Sequence, residues 1–171
     1  QAAAGWGMGG YGREPAPWTA SRTTDDDIPS DFNGRLLPES WDRFEEITAN
    51  SQVRVPAMAD VGLRKVINGP EAFTPDNEFI LGESEVGGFF VAAGFSAHGI
   101  AGAGGIGRQV ASWIVDGQPE LDLWKMDIRR FGLAYRSQSH TPARAPENYA
   151  HSSEIPNPHE ERQSSRPPRP A

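Results

Sequence analysis

Residues 88–117 read GFFVAAGFSAHGIAGAGGIGRQVASWIVDG, which predicts a strand, a glycine-rich loop and a helix in that order. Phe89 to Ala93 form an unbroken apolar run, as in a strand that is covered on both faces. From about Ile100, small and apolar residues recur at helical spacing up to Gly117, which lies where a left-handed C-cap belongs. These periodic residues are Ala103, Ile106, Gly107, Val110, Ala111 and Ile114.

Four glycines lie in or beside the first two turns of this predicted helix, at 102, 104, 105 and 107. Each one costs roughly 0.5–1 kcal/mol relative to alanine in a helix interior. The usual compensation is a close approach of the backbone to a ligand or to a neighbouring strand. A helix that begins directly after a strand is also an anion site, because its free N–H groups and its positive dipole end point the same way.

Residues 102–107 match the pattern G-x-G-x-x-G, which is typical of a pyrophosphate-binding first turn. That fingerprint should follow its strand at once, but residues 94–101 separate Ala93 from Gly102, and Asp116 lies at the helix end rather than after a second strand. The structural alternative is that the glycines merely let the helix pack closely on a sheet. The residues favour the structural alternative over the pyrophosphate site.

The preceding part of the chain predicts one further helix and two further strands. The helix runs from Pro38 to about Asn50, and Pro56 ends or kinks it. Val61 to Ile67 and Glu78 to Leu81 are predicted as short strands. Strands that are followed by a helix in the sequence predict an α/β or mixed α+β layer. The apolar face of the first helix comprises Trp41, Phe44, Ile47 and Thr48.

The two ends of the chain carry weaker signals. Met8 to Tyr11 is interpreted as the end of a strand that runs into an extended turn. Asp122 to Phe131 is predicted as a short strand or turn after the long helix. Residues 133–171 have few aliphatic side chains, many Pro, Ser, Arg and Glu, and no helical or strand period, so they predict an irregular tail.

Composition narrows the class of protein. The net charge of −7 argues against a nucleic-acid or anionic-membrane partner. The absence of cysteine excludes a disulfide, a thiol nucleophile and an iron–sulfur cluster. No run approaches the ~18 apolar residues that a transmembrane helix requires. The first residues lack the basic n-region and apolar core of a secretory signal, so none is expected there. We therefore expect a cytoplasmic protein, or one of the mitochondrial matrix if the source is eukaryotic.

Three segments carry a family resemblance: Val66-Ile-Asn-Gly69-Pro-Glu71-Ala-Phe73-Thr-Pro-Asp76, then Gly82-Glu83, then Gly88-Phe-Phe-Val-Ala-Ala-Gly94-Phe-Ser-Ala-His98-Gly99-Ile. Together they resemble the C-terminal part of the flavin-binding fold of the amino-acid oxidases, in the branch of the sarcosine and dimethylglycine dehydrogenases. The resemblance is dense from about Arg35 to Phe131. It implies a partial FAD-binding oxidoreductase fold, with its C-terminal strands and helix and a largely irregular C-terminal tail.

The resemblance also implies the cofactor and the residues that line it. The helix that starts near Gly99 would direct its N-terminus at the pyrimidine edge of the isoalloxazine ring of FAD. Asp76 would help to fix the preceding loop, although Glu71 and Asp76 taken alone are typical turn residues. The implied FAD-binding residues are Gly69, Pro70, Glu71, Phe73, Thr74, Pro75, Gly94, Phe95, Ser96, Ala97, His98, Gly99 and Ile100.

Three parts of the chain follow from the same resemblance. Residues 1–34 would end the substrate-domain segment, and residues 35–120 would form the C-terminal part of the FAD-binding oxidoreductase domain. Residues 121–171 would start the middle domain, or the linker towards a glycine-cleavage T-like domain. Tetrahydrofolate would bind only through that downstream domain.

His98 is the one candidate catalytic residue. Beside the flavin ring its imidazole would tune the protonation of an amine or orient a carboxylate. The alternative, which the motif alone favours, is a histidine that precedes the helix and bonds to the backbone. No metal site is predicted, because Asp25-Asp-Asp27 is interpreted as a solvated loop and His140, His151 and His159 are too far apart in sequence for a compact ligand set.

The implied reaction is the transfer of a hydride from an N-methyl carbon to flavin N5, which gives an iminium. The glycine-rich adenine-side turn and the tethering histidine and active-site tyrosine of the resembled family would lie upstream of Gln1. We therefore expect an inactive fragment of an FAD-dependent amine oxidoreductase. Its partners would be a small-molecule amine and the remainder of its own polypeptide, with no nucleic acid and no membrane. The alternative is a non-catalytic regulatory homologue that uses the same fold as a protein-binding subunit.

Overall fold

The computed structural model describes residues 5–15, 31–136, 140–155 and 157–160. Within them lie three α-helices and one two-stranded sheet: α1 (Trp41–Arg54), β1 (Ile80–Glu83), β2 (Phe90–Ala93), α2 (Gly99–Asp116) and α3 (His140–His151). Short 3₁₀ turns occupy Pro56–Asp60, Trp124–Met126, Ile128–Arg130 and Leu133–Arg136. The prediction of a mixed α/β (α+β) fold is confirmed.

The sheet is an antiparallel hairpin. Leu81 of β1 faces Ala92 of β2, and the predicted strand at Phe89 to Ala93 is confirmed as β2. β1 begins later than the predicted Glu78, because the Glu78 carbonyl accepts hydrogen bonds from the Thr74 hydroxyl (2.8 Å) and from Arg130 (3.0 Å) instead of joining the ladder. The expected cover on both faces is absent among the described residues, since Phe89 is 60% exposed.

Helix α2 has the predicted start and end. Gly117 adopts φ +79° and its N–H bonds to the Trp113 carbonyl at 3.1 Å, which is the expected left-handed cap. Its buried face differs from the predicted one, because the Trp113 ring packs over β1 and turns Gln109 and Trp113 inward. Of the predicted apolar stripe, Ile106 and Val110 are half-buried and the remaining members, Ala103, Gly107, Ala111 and Ile114, are exposed.

Helix α1 is confirmed with shifted bounds. It follows the N-cap residue Ser40 and ends at Arg54, because the proline at 56 disfavours a helical conformation for Val55. Pro56 then begins a 3₁₀ turn. No residue of α1 is fully buried, and Trp41 of the predicted apolar face is 54% exposed.

The predicted strand at Val61 to Ile67 is wrong. The chain there forms no strand, and the nearest ladder contact is an isolated bridge between Leu37 and Asn68. β-branched residues favour a strand only where a neighbouring strand is present, and among the described residues none lies beside this segment. The predicted strand end at Met8 to Tyr11 is wrong for the same reason, since residues 5–15 contain no strand.

The stretch from Asp122 to Phe131 forms the predicted turn rather than a strand. Its two 3₁₀ turns flank Asp127, which makes a parallel bridge to Leu81 of β1. The prediction that residues 133–171 have no helix is wrong over α3, which contains Pro146 in its interior. Contacts with distant residues stabilise α3, as described below. The candidate acidic loop at 25–27 lies outside the described residues.

Polar side chains outnumber apolar ones in the interior of the described part. The buried apolar residues there are Val66, Pro75, Leu81 and Trp113. Burial of polar groups is tolerated only where each finds a hydrogen-bond partner, so this interior depends on a specific hydrogen-bond network. The buried polar residues are Thr74, Ser96, Gln109, Asp127, Arg144 and Asn148. No described helix is long and apolar enough to cross a membrane.

Candidate functional site

The turn at residues 94–98 connects β2 to α2 in an unusual backbone conformation. Gly94, Ser96 and Ala97 all have positive φ, at +62°, +43° and +68°. Gly94 is required there, because a Cβ atom would lie 2.6 Å from the Thr74 methyl carbon. Ser96 and Ala97 carry side chains, so their left-handed conformation must be maintained by surrounding contacts.

The loop at residues 69–78 supplies those contacts. Ser96 is 1% exposed. Its N–H donates to the Ala72 carbonyl at 3.1 Å, and its hydroxyl oxygen accepts from the Thr74 N–H at 3.5 Å. The structure therefore brings together the 69–78 loop and the 94–98 turn. These two segments contain all the predicted FAD-binding residues except Gly99 and Ile100, which begin α2.

The N-terminus of α2 follows the 94–98 turn and has no side-chain cap. The N-cap residue His98 makes no side-chain bond to the first turn, and that turn contains no acidic residue. The first intrahelical bond runs from the Gly102 N–H to the His98 carbonyl (2.9 Å). The preceding N–H groups have no intrahelical acceptor, and Ile100 beside them is 98% exposed. This end of α2 can receive an oxygen or nitrogen acceptor that carries negative charge.

The imidazole of His98 bonds to the backbone. Its Nδ1 lies 2.6 Å from the Ser96 carbonyl oxygen. Since a carbonyl only accepts, Nδ1 is the donor, and in the neutral tautomer Nε2 is left as an acceptor. This contact is the backbone bond of the structural alternative; a catalytic role for His98 stays a prediction.

An ion pair anchors the 69–78 loop from a distant part of the chain. Arg130 donates from Nε to Asp76 Oδ2 (2.6 Å) and from Nη2 to Asp76 Oδ1 (2.9 Å). The Arg130 side chain is 8% exposed. Asp76 Oδ1 also accepts from the Glu78 N–H at 3.2 Å and lies 3.2 Å from the Thr74 hydroxyl. The implied role of Asp76 in fixing this loop agrees with these contacts.

Helix α3 holds the opposite side of the same loop. The Asn148 side-chain amide donates to the Thr74 carbonyl at 2.8 Å, and both residues are buried. The Tyr149 ring meets Phe73 edge-on at 5.2 Å, and Tyr11 meets Tyr149 at 5.3 Å. Burial, with the nearby charge of Glu71 and the Tyr149 hydroxyl, raises the pKa of Tyr11. Tyr11 therefore stays a neutral hydrogen-bonding phenol near pH 7.

Asp127 lies where the segment after α2 meets the sheet. Burial alone would raise its pKa, but hydrogen bonds from Arg129 and the charges of Arg129 and Arg130 outweigh burial and hold the pKa below its usual value. Asp127 is therefore ionised at neutral pH and pairs with Arg129, while Arg130 pairs with Asp76. Among the described residues, no group of three or more His, Asp or Glu side chains is arranged to hold a metal ion.

The predicted FAD-binding residues do not share one surface. Gly69 and Glu71 line a cavity of about 870 Å³ between residues 9–13, α1 and the end of α3. Among the described lining residues of that cavity, none belongs to the 94–98 turn. Three further predicted residues are buried where the loop packs against the turn: Thr74, Pro75 and Ser96. His98 and Ile100 are exposed at the start of α2.

Sequence reasoning missed the residues that hold the site together. Arg130 and Asn148 make long-range bonds to the 69–78 loop, yet they lie in segments predicted as a short strand or turn and as an irregular tail. The pair Arg129–Arg130, two residues after Asp127, was the available signal. It did not indicate which carboxylate Arg130 would bind.

Strand β2 leads through the left-handed 94–98 turn into the uncapped N-terminus of α2. The Gly-Pro-Glu-x-Phe-Thr-Pro-Asp loop packs against that turn. This combination defines part of a flavin-binding oxidoreductase. A family model described as FAD dependent oxidoreductase matches residues 9–113. A second, described as FAD dependent oxidoreductase central domain, matches residues 116–170. The chain belongs to the FAD-dependent oxidoreductase family. The resemblance to the sarcosine and dimethylglycine dehydrogenases is confirmed.

Three curated relatives show the range of this similarity. A 4-methylaminobutanoate oxidase (formaldehyde-forming) of Paenarthrobacter nicotinovorans is 40% identical over 71% of the chain and 15% of its own length. A mitochondrial sarcosine dehydrogenase of Mus musculus is 34% identical over 90% of the chain and 16% of its own length. A mitochondrial pyruvate dehydrogenase phosphatase regulatory subunit of Mus musculus is 36% identical over 77% and 14%. The chain thus spans about a sixth of these relatives.

Proposed function

We propose that this chain is part of an FAD-dependent amine oxidoreductase that oxidises an N-methyl amino acid of the sarcosine or dimethylglycine kind. The observation that carries the proposal is the open N-terminus of α2, which lies beside the buried 94–98 turn in a chain of the FAD-dependent oxidoreductase family. Two of the relatives are named for the oxidation of methylated amines. The 171 residues alone should be inactive.

The residues present fit FAD at one edge of its ring. The N–H groups at the start of α2 would bind the N1 and C2 carbonyl edge, where negative charge develops on reduction. His98 would lie beside the ring, with Nδ1 held by the Ser96 carbonyl. Loop 69–78 would line the cofactor and keep water from it. When bound, FAD supplies the acceptor for a hydride from the N-methyl carbon.

The first experiment uses the complete protein that contains this chain. It is purified and its visible spectrum is recorded before and after anaerobic addition of sarcosine, dimethylglycine or 4-methylaminobutanoate. We expect a flavin spectrum that at least one of these amines bleaches. A protein that contains no flavin, or whose flavin none of the amines reduces, would contradict the proposal.

A regulatory homologue is the second candidate, and the similarity to a phosphatase regulatory subunit favours it. In that case, the fold would serve as a protein-binding subunit and the amines would leave the spectrum unchanged. A pull-down with the complete protein, followed by mass spectrometry of the retained partner, distinguishes the two candidates. The enzyme should retain no stoichiometric partner and should turn over an amine.

Further properties of the complete protein follow from the same proposal. Tetrahydrofolate would bind only through a downstream glycine-cleavage T-like domain. The partners would be the amine substrate and the remainder of the polypeptide, without nucleic acid or membrane. We place the protein in the mitochondrial matrix of a eukaryotic source, since two relatives are named mitochondrial, and in the cytoplasm of a bacterial one. Cell fractionation tests this assignment.

A further inference from the structure

The 94–98 turn is held by the 69–78 loop rather than by its own conformational preference. Ser96 and Ala97 have positive φ although neither is glycine. Non-glycine residues keep this conformation only where the surroundings over-determine it. Here the Ala72 carbonyl and the Thr74 N–H bind Ser96 on both its polar groups. The orientation of the first turn of α2 therefore depends on where the loop lies.

Thr74 connects the turn to the rest of the loop. Its methyl group contacts Gly94, where a Cβ atom would lie only 2.6 Å away. Its hydroxyl donates to the Glu78 carbonyl (2.8 Å) and contacts Asp76 Oδ1 (3.2 Å). A displacement of Asp76 or Glu78 would thus move Thr74, and with it the backbone of Gly94 and Ser96.

Arg130 binds both of these groups from outside the loop. Its guanidinium meets the Asp76 carboxylate with two parallel bonds and also donates to the Glu78 carbonyl at 3.0 Å. The planar guanidinium binds both carboxylate oxygens at once, and a lysine ammonium cannot reproduce this two-bond geometry. Arg130 also lies in the stretch that the central-domain family model matches, whereas Asp76 lies in the stretch matched by the first model.

We propose that Arg130 is a positioning residue for the flavin site. Through Asp76, Glu78 and Thr74 it sets the 94–98 turn and the direction of the α2 N-terminus. The proposal rests on the proposed function, since it gives the flavin edge as the target of that helix end. It goes further by making the electrostatics of the flavin depend on a residue of the central domain that does not touch it.

The test compares Arg130→Lys and Arg130→Met with Arg129→Met in the complete protein. Arg129 is the matched control, since it is the same residue type one position earlier, its side chain is 72% exposed, and its ion pair is with Asp127. We expect the rate of flavin reduction at saturating amine to fall about ten- to hundredfold in both Arg130 variants, as misplacement of a site does. The KM should change less than the rate, and Arg129→Met should stay within about twofold of the parent.

A coupled variant distinguishes positioning from a general loss of stability. Thr74→Val removes the hydroxyl but keeps the shape of the side chain. If Arg130 acts through Thr74, Arg130→Lys combined with Thr74→Val should reduce the rate no further than the stronger single change. Thr74→Ser, which keeps the hydroxyl, should reduce the flavin much faster than Thr74→Val does. Additive losses would overturn the proposal, as would an Arg130→Lys protein that reduces its flavin as fast as the parent.

Hydrogen exchange provides a readout that does not require flavin. In Arg130→Lys, amides of residues 94–98 should exchange at least about tenfold faster, while those of α1 keep the parent rate. If the parent protein has no reducible flavin, the proposed function fails, and exchange in the turn still decides whether Arg130 holds it. Unchanged exchange at residues 94–98 overturns the positioning role whatever the flavin does.

Discussion

Gly82 shows how a single missing side chain lets α2 pack on the sheet. A Cβ atom at Gly82 would lie 2.5 Å from the Trp113 ring, and the backbone there has φ +107°. Trp113 is 7% exposed and is one of the few buried apolar residues. The contact between β1 and α2 therefore requires glycine at this position for both backbone and packing reasons.

Replacing Gly82 with alanine should destabilise the complete protein by about 2–5 kcal/mol, which combines a left-handed backbone penalty with overpacking. Gly88→Ala is the matched control, because Gly88 has φ +79° but nothing within 4 Å of a Cβ. It should cost only about 1–2 kcal/mol. Chemical denaturation monitored by tryptophan fluorescence measures both values. Equal losses would show that Trp113 does not cover Gly82.

His140 makes the stability of α3 depend on pH. Burial, followed by the positive charge of Arg144, lowers the pKa of His140, and its Nε2 is buried without a hydrogen-bond partner among the described residues. The unfolded chain therefore takes up a proton at higher pH than the folded one. Neutral His140 contributes fully to the stability of α3 above about pH 6.5. This contribution is lost as the pH falls through that value towards the folded-state pKa.

Hydrogen exchange in α3 between pH 8 and 5, corrected for the intrinsic rate, measures this dependence. His140→Phe should abolish it, because phenylalanine keeps the edge-on contact with Tyr135 (4.7 Å) and cannot be protonated. His159→Gln, at an exposed position, should leave the dependence unchanged. An α3 equally protected throughout this range would show that His140 is not buried in the neutral form.

At the scale of elements, the glycine-rich face of α2 lacks contacts within the described part of the chain. A Cβ atom at Gly104, Gly105 or Gly107 would meet nothing within 4 Å. We therefore expect a segment of the complete protein to pack against this face and so to offset the cost of these glycines. The literal G-x-G-x-x-G match lies inside the helix rather than in a phosphate-binding first turn.

In the complete protein, Gly104→Ala should lower the free energy of unfolding by about 1–3 kcal/mol, because a methyl group would meet the segment that covers this face. On a solvent-exposed helix the same change should raise it by about 0.5–1 kcal/mol. Gly87→Ala, which also meets nothing within 4 Å, is the control in the hairpin turn and should change little. A stabilising effect of Gly104→Ala would show that this face stays open.

Elements with local signals were predictable from the sequence and elements held by distant contacts were not. The apolar run Phe89 to Ala93 predicts β2, and the periodic residues that end at Gly117 predict α2. Each signal lies within or directly beside the element that it predicts.

α3 could not be recognised as a helix because its buried residues, Arg144 and Asn148, are polar. Contacts of Asn148 with Thr74 and of Tyr149 with Phe73 stabilise it. The segment 61–67 has strand propensity, but among the described residues no strand lies beside it, so it does not form one.

The candidate site divides in the same way. The 69–78 loop and the 94–98 turn were predicted from the family resemblance, and the structure brings them into contact. The role of Arg130 could not be predicted, because its partner Asp76 lies 54 residues away and either of two adjacent arginines could have reached it. Side-chain direction, which the sequence does not specify, selects Arg130.

At the scale of the whole molecule, the described part of the chain leaves much apolar surface exposed. Val115 is 81% exposed, Ile67 is 66% exposed and Ile100 is 98% exposed. Exposed apolar residues of this size in one small chain mark surfaces that other parts of a protein cover. The complete flavoprotein would cover them and present the N-terminus of α2 to the ring.

The central claim is that this helix end faces the flavin, and the reduction potential of the complete protein tests it most directly. Ile100→Glu places a negative charge in the first turn, where the dipole tolerates it, and Ile100→Gln is the neutral control of the same shape. A charge effect of about 1–2 kcal/mol on a two-electron couple corresponds to about 20–40 mV. We predict that Ile100→Glu lowers the flavin potential by that amount relative to Ile100→Gln. Equal potentials in the two variants would contradict the account.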